Sequence, residues 1–484
     1  MFVNKLHKHY RENQAFVILG IGVIVIIYLL KTVVAQFGFL FPSGLYRYAA
    51  TGFMVGVLLA CSLMFYRPLA ALFILLLVLP LGVRLAEFFK IELSDLVFTV
   101  DVIAIWMIAS ISILIHGLRR DGLLIFIALF LMILISSSLA NISINSVSVL
   151  LNGALTPFMI YILTQNVVKK YNDFKAIVIV LALVAFLCSL FAFVQPIINE
   201  NVADLVYLRL VSVFYNPIIF ANVLLLLWPF VLMVGSDDKN QFVKLTIVLK
   251  SMVLIVSLAA LFFAGSRGAD VICGLQILWI ISKNYSDHKN SLQKYRIQGF
   301  VVGAIVITLV IFNLEFLTET IFRRFFQSNS YDEGSSASER FLGAIGALEL
   351  GFSNILMGVG LGEFKNAYQT TYAASIGQLD LESAHNFVLN LFAEVGIFGL
   401  AIWLLIIFYV NRRLGVMKSW FGSMDKLFTY RALQSSFIGY TASQFLFYGE
   451  FLHKNVGLPM VMYFVVFALI SSLHFIRREG RARV

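Results

Sequence analysis

Long apolar runs, each ended by a short polar or charged cluster, follow one another along almost the whole chain. A helix that crosses a hydrocarbon core needs roughly 20 mainly apolar residues, and about fourteen runs approach that length. They centre on Phe16–Phe37, Tyr48–Tyr66, Leu69–Val83, Leu96–Ile115, Leu123–Leu139, Val147–Leu163, Ile177–Val194 and Pro217–Val234. Thr246–Ala264, Gly268–Ile281, Gly299–Leu314, Phe387–Val410, Ser435–Tyr448 and Leu458–Phe475 complete the set. The Ser435–Tyr448 run is short and also suits a tilted or re-entrant segment. The pattern predicts an all-α fold, a polytopic transmembrane helical bundle of about 12–14 spans.

The first apolar run follows Lys5, Lys8 and Arg11 as a signal peptide would, yet no small-residue cleavage site precedes the next span, so it reads as a retained helix. Lysine and arginine near span ends stay on the cytoplasmic side. With both termini inside, the inner tails and loops hold 25 of the 36 basic residues. The longest hydrophilic segment, Thr318 to Ala384, then faces outward. Three parts follow: residues 1–316 with the first eleven spans, a large extracytoplasmic loop over 317–385, and the C-terminal spans over 386–484. Within the loop, Phe341, Leu342, Ile345 and Leu348 recur at the spacing of an amphipathic helix. The series Gly358-Val359-Gly360-Leu361-Gly362 after it suits a tight turn or a close backbone approach.

Composition agrees with lipid as the main solvent: 60% of residues are hydrophobic and 13% charged. A net charge of +10 is scattered in clusters between apolar runs, which argues against a nucleic-acid-binding module. Cys61, Cys188 and Cys273 all fall in apolar stretches without the paired spacing of metal sites or disulfides, and read as small buried hydrophobes. No acidic cluster has metal-ligand spacing and no Walker-type loop is present, so neither a metal nor another cofactor is expected.

Arginines on the outer side run against the charge bias and become the candidates for chemistry. Arg267, in Ala264-Gly265-Ser266-Arg267-Gly268-Ala269, joins two spans with almost no loop, so its guanidinium sits at the outer membrane surface. An ionisable group there is costly and usually functional, the alternative being an arginine that snorkels to anchor a helix end. Arg340 opens the amphipathic run and is either a ligand or a solvated helix-start residue. Arg209, before Ser212 and Asn216, is either a substrate-binding residue or an interfacial anchor. His385, with Asn386, stands where the long loop meets the next span, and a histidine there can accept a proton or simply cap the helix. Glu394 lies inside that span and needs a partner, an arginine or a backbone donor. Arginine forks bind phosphate oxygens bidentately, so a lipid-linked diphosphate at the bilayer surface is the ligand that best explains the set.

Ser266-Arg267-Gly268, Ser338-Glu339-Arg340, the glycine series through Glu363-Phe364, Ala384-His385-Asn386 and Glu394-Val395-Gly396-Ile397-Phe398-Gly399 together resemble the O-antigen ligase and O-antigen polymerase superfamily. The resemblance is strongest from about Arg209 to Leu400 and implies a metal-independent, GT-C-like glycosyltransferase in the bacterial cytoplasmic membrane. It implies that Arg267 and Arg340 hold the diphosphate of an undecaprenyl-diphosphate-linked glycan and that His385 activates the hydroxyl of a glycan or lipid acceptor. Arg209, Asn386 and Glu394 would then bind substrate. Single displacement predicts inversion at the anomeric carbon. A polymerase is favoured over a ligase because of the extra spans. A lipid-linked sugar transporter or flippase and a structural scaffold are the readings from other classes.

Overall fold

The computed structural model describes residues 56–85, 90–93, 96–119, 121–198, 210–214, 216–234, 243–287, 333–373, 381, 383–421, 424–446 and 458–481. Over these the chain is a bundle of helices. In chain order they are α1 (Gly56–Tyr66), α2 (Pro68–Leu85), α3 (Val100–His116), α4 (Gly122–Ala140), α5 (Ile144–Val167), α6 (Tyr171–Ile198) and α7 (Pro217–Met233). They continue with α8 (Val243–Phe263), α9 (Arg267–Asp287), α10 (Glu333–Ser353), α11 (Phe364–Tyr368), α12 (Phe387–Met417), α13 (Met424–Leu446) and α14 (Leu458–Arg481). Among the described residues, five segments are long and apolar enough to cross a membrane: α4, α5, α6, α12 and α14.

Twelve of the expected spans fall on described helices; those at Phe16–Phe37 and Gly299–Leu314 lie outside the described residues. Two expectations need correction. Leu96–Thr99 does not belong to the helix behind it: it is strand β2, paired antiparallel with β1 (Lys90–Leu93), and α3 begins only at Val100. The short Ser435–Tyr448 run is the second half of a full-length helix, α13, whose first turns carry Lys426, Thr429 and Arg431 and so fail an apolar-run test.

Side-chain contacts fix how the helices run. Asp121, the N-cap of α4, meets Arg413 near the end of α12, whereas Ser137 near the end of α4 bonds the Glu394 carbonyl near the start of α12, at 3.0 Å. These two helices are therefore antiparallel. Lys250 on α8 donates to the Leu232 and Val234 carbonyls at the end of α7, and the Phe263 carbonyl at the end of α8 accepts from Leu210, just ahead of α7. Arg413 and Arg477 bind Ser471 and the Val416 carbonyl respectively, which sets α14 parallel to α12.

The bundle thus has two distinct ends. One gathers the basic residues Arg119, Lys169, Lys170, Arg412, Lys418 and Arg478. At the other end, α4, α6, α8 and α13 finish, α5, α7, α9 and α12 begin, and α10 packs against α12. Between them a single apolar core runs through α1–α9 and α12–α14, with Trp228, Trp403, Tyr463 and Phe467 among its fully enclosed rings.

Near the basic end the core contains a polar cluster. The buried Asp121 carboxylate forms an ion pair with Arg413 and accepts from Tyr161 (2.8 Å), Gln165 (3.2 Å) and Ser471. It ties α4, α5, α12 and α14 together. A lone charge in this core would be costly; Arg413 and four neutral donors, the Leu123 N–H (3.3 Å) among them, saturate the carboxylate instead.

Candidate functional site

The end away from the basic cluster is closed by a loop module with its own small core, in which α10 and α11 pack through Ala347, Leu350, Phe364 and Tyr368 against Leu381, Ala384 and Ala393. The glycine series locks this module to the bundle. α12 is broken at Gly396, whose φ of 73° and ψ of −167° lie outside the helical region. The break frees backbone groups that a continuous helix would pair internally, and the loop takes them. Ile397 N donates to the Ile355 carbonyl (2.8 Å), Val359 N to the Ala393 carbonyl (2.8 Å) and Gly360 N to the Glu394 carbonyl (3.0 Å). Gly358 and Gly360 both have positive φ, and a Cβ on Gly358 would collide with the Glu394 backbone. Only glycine permits this approach.

Glu394 completes the lock. Its carboxylate is buried and accepts from the Gly362 N–H (3.0 Å) and the Phe364 N–H (3.4 Å). Of the two partners the sequence left open, the backbone donor is the one present. Glu394 thereby ties the loop to α12 through backbone donors. From the bundle side, the α4–α5 turn adds Asn141, donating to the Val359 carbonyl (2.5 Å), and the first turn of α5 adds Ser146, donating to the Leu361 carbonyl (2.6 Å). Asn145 donates to the Gly362 carbonyl and Ser143 to the Glu363 carboxylate. Sequence reading missed these residues; the signal was a Ser/Asn run from Ser136 to Ser148 that resembles an ordinary polar turn.

His385 lies where the module meets α12. It is half-buried and holds a left-handed backbone, φ 49°, a region that histidine enters more often than most non-glycine residues. The surroundings impose it. Asn386 caps α12 by accepting from Leu389 N (3.1 Å), and its amide donates to the Phe445 carbonyl at the end of α13 (2.6 Å). Asn390 accepts from Ala384 N at 3.2 Å.

Arg340 is exposed on α10. Gly343, one turn further along the same face, packs so closely on the loop that its Cβ position is 3.3 Å from Ala384 Cα, the residue before His385. Arg340 and His385 therefore flank one backbone contact. Arg267 is also exposed and begins α9 after Gly265, which turns the chain at φ 77°. Nine residues on, Gln276 donates to the Ser435 carbonyl of α13 at 2.7 Å. Nine residues of rise, about 13 Å, return Arg267 to the level of the α13 terminus that Asn386 holds. Arg267, Arg340, His385 and Asn386 thus stand at one end of the bundle, opposite the basic cluster. Arg209 lies outside the described residues, but its neighbour Leu210 is bonded to Phe263, four residues before Arg267.

Two solvent-exposed guanidinium groups and an imidazole at one end of an apolar bundle form an arrangement suited to a diphosphate headgroup and to proton transfer from a hydroxyl. Residues 252–404 match the O-antigen ligase family model. The matched segment contains Arg267, Arg340, the glycine series, His385 and the break at Gly396. No curated protein matches the chain.

Proposed function

Taking as premise a membrane enzyme of the O-antigen ligase and polymerase type, we propose that it transfers a glycan from an undecaprenyl-diphosphate carrier to a hydroxyl acceptor on the outer face of the bacterial cytoplasmic membrane. The observation that carries this reading is the gathering of Arg267, Arg340 and His385 at the end remote from the basic cluster, with Arg340 and His385 flanking the Gly343–Ala384 contact. By the charge bias of membrane proteins that end is extracytoplasmic, with both chain termini in the cytoplasm.

In this reading the two arginines bind the diphosphate bidentately, and Asn386 and Arg209 help to orient substrate. His385 takes the proton of the acceptor hydroxyl as its oxygen attacks the anomeric carbon. The bond from that carbon to the diphosphate oxygen breaks on the opposite face, and undecaprenyl diphosphate leaves with the electron pair. The leaving group is already anionic, and arginines held against it stabilise the charge that develops, so no general acid is required. The resemblance supports a metal-independent reaction, and single displacement gives inversion; a product of retained configuration would contradict that step.

Polymerisation of lipid-linked repeat units is the favoured form, supported by spans beyond those a ligase needs. Purified protein incubated with a lipid-linked repeat unit alone should yield a ladder of products. Transfer only after a lipid A-core or other acceptor is added would establish a ligase instead. For a lipid-linked sugar transporter, His385→Ala should preserve function, whereas the transferase should lose turnover and keep donor binding.

A further inference from the structure

Among the described residues, the loop module presents an apolar edge that neither its own core nor the bundle covers. On α10, Gly343, Ala347, Leu350 and Gly351 face inward. The opposite stripe carries Phe341 and Phe352, each 66% exposed, with Leu348 between them at helical spacing. The turn after α10 extends this edge through Ile355, Leu356 and Met357, of which Leu356 is 57% exposed. Six large apolar side chains in a row on a segment otherwise built from polar turns is more than scattered surface hydrophobicity.

We propose that this edge, from Phe341 to Met357, is immersed in the acyl-chain region of the outer leaflet as an interfacial anchor, its occupant being lipid hydrocarbon. Depth along the bundle supports the assignment. Asp121 begins α4 beside the basic end, and Asn141 ends it twenty residues later, a rise of about 30 Å that matches the hydrocarbon thickness. Asn141 binds Val359, so the glycine series lies at the outer boundary of the hydrocarbon. Ser137, one turn deeper, donates to the Met357 carbonyl (3.4 Å), and Ile397 of α12 donates to the Ile355 carbonyl (2.8 Å). Residues 355–357 are thereby about 6 Å inside that boundary.

The edge is also continuous with the lipid-facing sides of two spans. Leu139 and Met132 on α4 and Phe398 and Phe408 on α12 are exposed in the same way. Phe352 stacks edge-on against Phe392 of α12, with ring centroids 5.4 Å apart. An amphipathic helix held in the plane of the interface buries its apolar side at the headgroup and acyl boundary. Because Arg340 is next to Phe341 on this helix, anchoring the stripe sets the height of that guanidinium at the phosphate plane.

Nitroxide labels on single-cysteine variants of the full chain in lipid nanodiscs test the proposal; Cys61, Cys188 and Cys273 are buried. Labels at Phe352→Cys and Leu356→Cys should collide faster with oxygen than with a water-soluble nickel chelate, as should one at Met132→Cys. The order should reverse at Thr370→Cys, on the exposed side of α11's continuation. Chelate collisions that dominate at 352 or 356 would overturn the anchor. So would exclusion of both reagents together with label–label broadening, which would show a second copy of the chain on the edge. If Leu356→Cys fails to fold, Phe352→Cys decides alone.

Discussion

The two ends of the bundle hold their charge in opposite ways. At the basic end, Asp121 and Arg413 are buried, and the carboxylate is saturated by Arg413, Tyr161, Gln165, Ser471 and the Leu123 N–H. At the other end, Arg267 and Arg340 are exposed, and the buried carboxylate there, Glu394, is taken up by the backbone of the loop. The first arrangement turns charge inward to hold four helices. The second uses the carboxylate to hold a loop and leaves the guanidinium groups facing outward. Buried ionisable groups in a membrane protein are thus not by themselves a sign of chemistry; what distinguishes the candidate site is charge held at the surface by a rigid scaffold.

The largest expected effect falls on the outward-facing end. His385→Ala should lower transfer by roughly 10²–10⁴-fold, the usual contribution of a positioned base, in an assay with lipid-linked donor and with folding checked by size-exclusion chromatography. A fall of similar size on replacing Lys418 at the basic end would erase the distinction. Next comes Asp121→Ala, which strands Arg413 in the core and should cost about 3–5 kcal/mol. Thermal unfolding in detergent would register it, with part of the loss recovered in Asp121→Ala/Arg413→Met. Gly396→Ala or Gly358→Ala should cost about 1–3 kcal/mol through positive-φ strain, with collision between loop and helix in addition. Limited proteolysis of the loop reads this, and activity should fall with it. The smallest effect is Ser137→Ala, which removes hydrogen bonds to the Glu394 and Met357 carbonyls and should destabilise the loop by about 1 kcal/mol.

Most of the bundle was legible because lipid demands continuous apolar runs, and such runs are visible without any knowledge of packing. The errors have physical causes. Leu96–Thr99 is as apolar as the helix it precedes, so only its pairing with Lys90–Leu93 separates the two. The start of α13 was hidden because its first turns lie at the basic end, where Lys426 and Arg431 replace apolar residues. Arg267, Arg340 and His385 stood out as polar groups in unusual places. The part Glu394 plays did not, because its partners are backbone N–H groups of residues thirty or more positions away, which carry no side-chain label. Asp121 and Arg413 were invisible as a pair for the same reason of distance, 292 positions apart in the chain.

The most direct measurement compares the two ends by donor affinity. Binding of undecaprenyl diphosphate to Arg340→Ala should weaken tenfold or more, the loss of about 1.4 kcal/mol or greater expected for a charge-assisted contact. Arg412→Ala, an exposed arginine at the opposite end, should bind as the parent does. Unchanged binding in Arg340→Ala, or a loss confined to Arg412→Ala, would contradict the assignment of the diphosphate to the loop-covered end.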